Sequence, residues 1–233
     1  MAGNETLLAA LTEFAETLTT HYDVADVLDE LTSRAATVLD ATGAGVSLGD
    51  AKGELAFATA SNETVSRIER VQEQSQLGPC WAAYRTQALV LITDVAERED
   101  WPEYRAVCLE ENIRSVAGIP MVWDGRSFGA LNVYREGPRV WTEAEVAAAR
   151  ILANMATSYV AHASQLDEAK RLNEQLQEAL DSRVVIEQAK GLLAGERGVT
   201  LNEAFESLRR HARSHHASLR AVAEAVVQVG FRP

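Results

Sequence analysis

The sequence predicts an α+β fold class: an N-terminal antiparallel sheet with flanking helices, a long coiled-coil-type connecting helix, and a C-terminal three-helix bundle. Three features of the 233 residues predict it. Five short runs rich in β-branched and aromatic residues are separated by turn residues or by helix-like segments. Residues 141–190 contain neither Pro nor Gly. Charge is also unevenly divided. The whole chain carries a formal −12, yet residues 180–233 hold eight Lys/Arg against six Asp/Glu, with His211, His215 and His216 in addition. Such asymmetry suggests two modules with different partners.

Taken in order, residues 6–20 and 24–39 read as amphipathic helices. In the second, Val24, Val27, Leu28, Leu31, Ala35 and Val38 recur at helical spacing, with Asp23 as N-cap. The runs GAGVSLGD, ELAFATAS, ALVLITDVA, SVAGIPMVWDG and RSFGALNVYRE read as strands. DAKGEL and WDGRSFG read as hairpin turns, because Gly53 and Gly125 can take positive φ. ETVSRIERVQEQ, PCWAAYRTQ and WPEYRAVCLEENI read as helices that pack on the sheet. From Trp141 one helix of about 50 residues is expected, opened by a Thr142/Glu145 capping box. Its middle is polar except for a seam of Leu166, Ala169, Leu172, Leu176 and Leu180. A seam of that kind usually meets a partner helix, so a homodimer is expected; the alternative is that it packs back on its own domain. Thr200 with Glu203 opens the next helix, and Ser218 caps a last one that Gly230 ends.

Composition excludes several classes. Apolar residues at 47% and charged residues at 24% are ordinary globular usage. No apolar run approaches the ~18 residues that a membrane span needs. The first residues, MAGNETLLAALTEF, carry Glu5 and no Lys or Arg, which is unlike a secretory leader and makes a cytoplasmic, non-membrane protein the expectation. Two cysteines, Cys80 and Cys108, make neither a disulfide framework nor a metal-site spacing, so no metal is expected.

At SRVVIEQAKGLLAGERGVTLNEAFESLRRHARSHHASLRAVAEAVV the chain resembles the ANTAR domain, a three-helix module that binds RNA in transcription antitermination regulators. The resemblance rests on Arg183, Ile186, Gln188-Ala189-Lys190-Gly191, Leu193, Ala204-Phe205, Leu208-Arg209 and Leu219 through Val222-Ala223. The segments LGPCWAAYRTQALVLITDV, WPEY, IRSVAGIPMVWDGRSFGALNVY and WTEAE resemble the GAF family of small-molecule sensor domains. Together they imply a GAF–ANTAR regulator: a GAF-like domain at 1–161, a helical linker at 162–179 and an ANTAR domain at 180–233. Its partner would be RNA with tandem stem-loops in nascent transcripts, with no cofactor required for that binding and no catalytic residue.

The residues alone support part of this. Ile186, Ala189 and Leu193 share one helix face, while Arg183, Glu187 and Lys190 share another. Leu201, Ala204, Phe205, Leu208 and Ala212 form the inward stripe of the next helix, with Asn202, Glu206, Arg209 and Arg213 on a polar stripe. Arg183, Arg209 and Arg213 offer forked donors for phosphate or guanine, Lys190 suits a phosphate, and Gln188 suits a base edge. Gly191 permits close approach of a helix or a nucleic-acid backbone. The plainer reading makes these cations the wet face of a small bundle, balanced by Glu187, Glu203 and Glu206. A DNA-reading helix is not evident, since SLRAVAEAVVQV is mostly apolar.

For the sensor half, Cys80, Trp81, Tyr84, Trp101, Tyr104 and Cys108 fall in the helices that close over the cavity in the GAF fold, and form the candidate ligand pocket; ordinary core packing is the alternative. Pro79 suits a helix first turn, which would place Cys80 where the dipole favours a thiolate. A bilin is disfavoured because Trp81, not His, follows Cys80. Haem would have only His21 as an axial ligand in this half, with His162 beyond it in the connecting helix. A cyclic nucleotide, or no ligand at all, remains open. Two alternative functions compete: a free methionine sulfoxide reductase-like enzyme using Cys80 and Cys108, and a protein-interaction module without RNA binding.

Overall fold

The structure is a computed structural model that describes residues 9, 12–14, 16, 23–50 and 52–233. Most of the expected first helix, and His21, lie outside the described residues. Helix α1 (Val24–Val38) buries Val27, Leu28, Leu31 and Ala35, the stripe its spacing predicts. Asp23 takes the N-cap position without a side-chain capping bond.

Strands β1 (Gly43–Gly49) and β2 (Leu55–Ala60) follow, then α2 (Glu63–Ser75), α3 (Pro79–Thr86), the short β3 (Val90–Ile92), α4 (Pro102–Glu110), β4 (Ser115–Trp123) and β5 (Arg126–Arg135). The sheet order is β2-β1-β5-β4-β3, with every neighbouring pair antiparallel. Both predicted hairpin glycines have positive φ, Gly53 at 83° and Gly125 at 72°. Asp124 at 49° precedes Gly125, the paired positive φ of a tight hairpin turn. Strand β3 is shorter than the run ALVLITDVA suggests. Its end is set by Asp94, whose carboxylate accepts from the Ala96 N–H and from both arms of Arg114, turning the chain into a single 3-10 turn.

The sheet alternates as a two-faced sheet must. Ala44, Val46, Leu131 and Val133 point to one face, where α1 and the start of the long helix α5 (Glu143–Arg197) bury Leu152, Ala153 and Ala156. On the other face α2, α3 and α4 cover a second core that includes Ile68, Tyr104, Cys108 and Tyr134. Trp141 anchors the turn into α5. The Arg135 guanidinium lies 4.3 Å from its ring centroid and bonds Glu145 at 2.8 Å. Burial pushes the Glu145 carboxyl up, but the Thr142 N–H and Arg135 outweigh it and hold the group down at about 2.

Helix α5 has 55 residues and runs through Gly191 and Gly195. The chain divides into two units, Met1–Ser164 and Gln165–Pro233. In the second, the end of α5 packs with α6 (Leu201–Ser214) and α7 (Leu219–Val229) around Ala189, Leu193, Ala204, Leu208, Ala212, Val222, Ala223 and Val226. Both helix starts are capped as predicted: Thr200 and Glu203 form a reciprocal capping box, and Ser218 accepts from the Ala221 N–H. Leu201, expected inside, is largely exposed because it opens the first turn beyond the bundle core.

Candidate functional site

In the C-terminal unit, the helical geometry sorts the six predicted residues into two groups. Phe205, expected in the core, is only half-buried, and the Lys190 ammonium sits 5.5 Å from its ring centroid. That contact joins α5 to α6 along a seam. At 100° per residue Arg183 lies within about 20° of Lys190 around α5, and Arg209 within about 40° of Phe205 around α6. Arg213 stands one turn beyond Arg209. The seam is thus flanked by Arg183 and Lys190 on one side and by Arg209 and Arg213 on the other. Gln188 and Gly191 fall elsewhere: Gln188 is about 160° from Lys190, on the outer face of α5. Gly191 is exposed, and a Cβ built there would meet nothing within 4 Å. Among the described residues, no second helix uses the space that Gly191 leaves.

The seam's cations are available for exchange. Lys190 pairs with Glu187 at 2.8 Å and Arg209 with Glu206 at 3.3 Å, both on their own helices with half-exposed carboxylates. Pairs of that kind contribute about 0–1 kcal/mol, so a phosphate can displace either carboxylate at little cost. Arg183 and Arg213 are exposed and have no ion pair among the described residues. Arg197 and Arg232 are committed elsewhere, to the Pro233 carbonyl oxygen and to Glu196. His211 and His215 stack at 4.0 Å, and the His211 ring meets Phe231 at 4.9 Å.

In the N-terminal unit, sequence reasoning missed the main polar feature. Glu69 of α2 is fully buried against the sheet. Its Oε1 accepts from Asn132 Nδ2 and the Tyr134 hydroxyl, both at 2.8 Å; Oε2 accepts from Ser47 Oγ at 3.1 Å and Gln72 Nε2 at 3.4 Å. All four donors are neutral. Burial therefore raises the Glu69 carboxyl above its ordinary range despite these bonds. Gly45 makes room: a Cβ there would come within 2.8 Å of Glu69. Among the described residues, two buried oxygens on this face of the sheet, Asn132 Oδ1 and Tyr104 OH, have no hydrogen-bond partner. A signal existed in the sequence, since Glu69 and Gln72 continue the inward spacing of Val65 and Ile68.

Residues 21–161 match the GAF domain family and residues 174–227 match the ANTAR domain. The chain belongs to the GAF family and carries an ANTAR domain behind it. Its fold resembles the GAF domain of a phosphoenolpyruvate-protein phosphotransferase from Coxiella burnetii, at 17% identity and TM-score 0.58, over 70% of this chain and 98% of that one. It also resembles the corresponding domain from Acinetobacter, at 17% identity and TM-score 0.56, over 68% and 94%. A free methionine-R-sulfoxide reductase from Neisseria meningitidis is similar at 18% identity and TM-score 0.55, over 69% and 91%. At these identities the likeness speaks to fold alone. The comparison with curated proteins gives no match.

The six residues proposed for the GAF ligand pocket fall in two side-chain clusters. Cys80 packs with Ala83, Leu55 and Ala130, with Trp81 and Tyr84 against that cluster. Tyr104 and Cys108 belong to the core around Ile68 and Tyr134, with Trp101 packed on it. Trp101 and Tyr104 meet edge-on at 6.2 Å and line a cleft of about 300 Å³. Tyr84 lines a different cleft, of about 510 Å³. The thiolate expected at Cys80 is reversed. Pro79 does open α3, but Cys80 is fully buried, and desolvation with the Glu69 charge pushes its thiol well above the ordinary range. Burial likewise raises Cys108 to about 12. No helix among the described residues is long and apolar enough to cross a membrane.

Proposed function

We propose that this GAF–ANTAR protein is an RNA-binding transcription antitermination regulator, in which the GAF domain controls an ANTAR domain that recognises tandem hairpins in nascent RNA. The observation that carries this reading is the α5–α6 seam, where Lys190 covers Phe205 and Arg183, Arg209 and Arg213 stand beside it. Guanidinium forks and one ammonium around an aromatic edge suit hairpin loops, whose splayed bases stack on planar groups while phosphates meet cations. Gln188 and Gly191 lie on the outer face of α5, where the reading assigns them to a second contact with RNA or with the partner helix.

Two-hairpin recognition asks for two ANTAR domains, and the long helix supplies the means. Leu166, Leu172, Leu176 and Leu180 of the expected seam are 57%, 55%, 56% and 58% exposed. A second copy of α5 along this row makes the proposed homodimer. On the GAF side, the orphaned polar atoms beside Glu69 favour a small-molecule ligand between the sheet and α2–α4, which biases the long helix between two states. The protein acts in the cytoplasm and is not an enzyme in this reading. Both thiols are buried and held protonated, against the tuned, accessible thiolate that a reductase needs. The test is a gel shift of the full chain with a two-hairpin RNA, a single hairpin and duplex DNA. Preference for the two-hairpin RNA is expected; equal retention of duplex DNA, or none of RNA, contradicts the reading.

A further inference from the structure

The unit Met1–Ser164 carries 12 Lys/Arg against 24 Asp/Glu, so its cations should all find acidic partners. Among the described residues six do, in the ion pairs of Arg34, Arg67, Arg98, Arg114, Arg135 and Arg139. The other six have no ion pair among the described residues: Arg70 lies over the Phe57 ring, Arg105 donates to the Arg98 carbonyl and Arg150 is exposed on the long helix, while Lys52, Arg85 and Arg126 all line one cleft of about 510 Å³ at the hairpin end of the sheet. Unpaired like charges held around one space in an acidic domain repel one another, and an anion relieves that repulsion.

The cleft is built rather than incidental. Its floor is the Tyr84 ring, which reaches this position because Gly49 has no Cβ; one added there would come within 2.4 Å of the Tyr84 hydroxyl. One wall is the β1–β2 turn, closed by Asp50 Oδ1, which accepts from the Lys52 N–H at 2.8 Å and the Glu54 N–H at 2.9 Å. The end of α3 is tied to the β4–β5 turn by Gln87 Nε2 donating to the Gly125 carbonyl at 2.9 Å. Both guanidiniums are supported by rings, Arg85 at 5.4 Å from the Trp81 centroid and Arg126 at 5.0 Å from that of Phe128. Ser127 also lines the cleft, and its Oγ is buried without a hydrogen-bond partner. The lining carries three positive charges and the one negative charge of Asp50.

We infer that this cleft binds a small phosphate ester, with Arg85, Arg126 and Lys52 on the phosphoryl oxygens and the organic group resting on Tyr84. Two guanidinium forks and an ammonium can together engage all three oxygens of one phosphoryl group, whose second negative charge a single carboxylate lacks. The net lining charge of three cations against one carboxylate matches a dianion. The site is separate from the Glu69 cluster and does not depend on the RNA reading.

The test is calorimetric titration of the full chain with AMP, with pyrophosphate and with succinate, a carboxylate dianion. Saturable binding of AMP and pyrophosphate at one site per chain is expected, with succinate at least about tenfold weaker. Arg85→Gln combined with Arg126→Gln weakens AMP binding at least about tenfold. Asp50→Asn keeps the turn's acceptor oxygen and tightens AMP binding. Arg150→Gln, an exposed arginine outside the cleft, leaves it unchanged. Three results overturn the inference: no saturable binding of either phosphate, succinate binding as tightly as AMP, or AMP binding that survives the double substitution. Thermal unfolding of each variant confirms that the exposed substitutions leave the fold intact.

Discussion

At the residue scale, Glu69 sets the chemistry of the GAF core. Four neutral donors surround its carboxyl, and no cation offsets its charge. Its folded value is raised, so the folded state holds the proton more tightly than the unfolded chain does. The stability this contributes is fully present below the ordinary carboxyl range and is lost as pH rises through the raised folded value. Urea midpoints of the wild type are therefore expected to fall as pH rises above the ordinary carboxyl range, and to fall less in Glu69→Gln. A wild-type midpoint that rises with pH refutes this account of Glu69. None of this was plain in the sequence, because a Glu and a Gln within ETVSRIERVQEQ read as a wet helix face until the sheet is placed against them. Cys80 teaches the same lesson, and its shift has the same direction. A helix first turn favours a thiolate, but full burial and a neighbouring carboxyl outweigh that field.

At the scale of elements, the chain's local signals translated well. Positive φ at Gly53 and Gly125, the capping boxes at Thr142 and Thr200, and Gly230 in the left-handed region after α7 all stand where turn and cap chemistry put them. These signals depend on a few neighbouring residues, so no tertiary context overrides them. Thr200→Ala is expected to cost about 1 kcal/mol in denaturant unfolding, since it strips the reciprocal bonds at the start of α6. The candidate ligand pocket was less legible. Its aromatics lie on two helices, α3 and α4, and spacing within a helix does not reveal what each helix faces. Gly191 separates stability from function. Open space surrounds it, so Gly191→Ala should stabilise α5 by about 1 kcal/mol. If a second helix or an RNA backbone approaches there, the same substitution weakens dimerisation or RNA retention. A variant both more stable and equally active removes Gly191 from the site.

For the molecule as a whole, charge division and the long helix organise the account. The −12 resides in Met1–Ser164, while Gln165–Pro233 balances ten Lys/Arg against ten Asp/Glu. A unit of zero net charge cannot retain RNA by bulk attraction, so binding has to come from a few placed cations. Dimerisation through the leucine row is tested by sedimentation: Leu176→Lys with Leu180→Lys should yield monomers at concentrations where the wild type is dimeric. The order of a GAF domain before an ANTAR domain was legible because a proline-free and glycine-free run, a charge change and two family patterns coincide. The seam around Phe205 was not, since it arises only when α6 folds back on α5 and slides Phe205 out under Lys190. The most direct measurement is the affinity of a twin-hairpin RNA for the wild type and for Lys190→Ala combined with Arg209→Ala, over a range of salt. Four phosphate contacts per chain, eight for the proposed dimer on a twin-hairpin RNA, predict a wild-type log–log slope of about −6, and the double variant should bind at least about tenfold more weakly with a slope shallower by about 3. Equal affinity and equal slope for the two proteins would contradict the account.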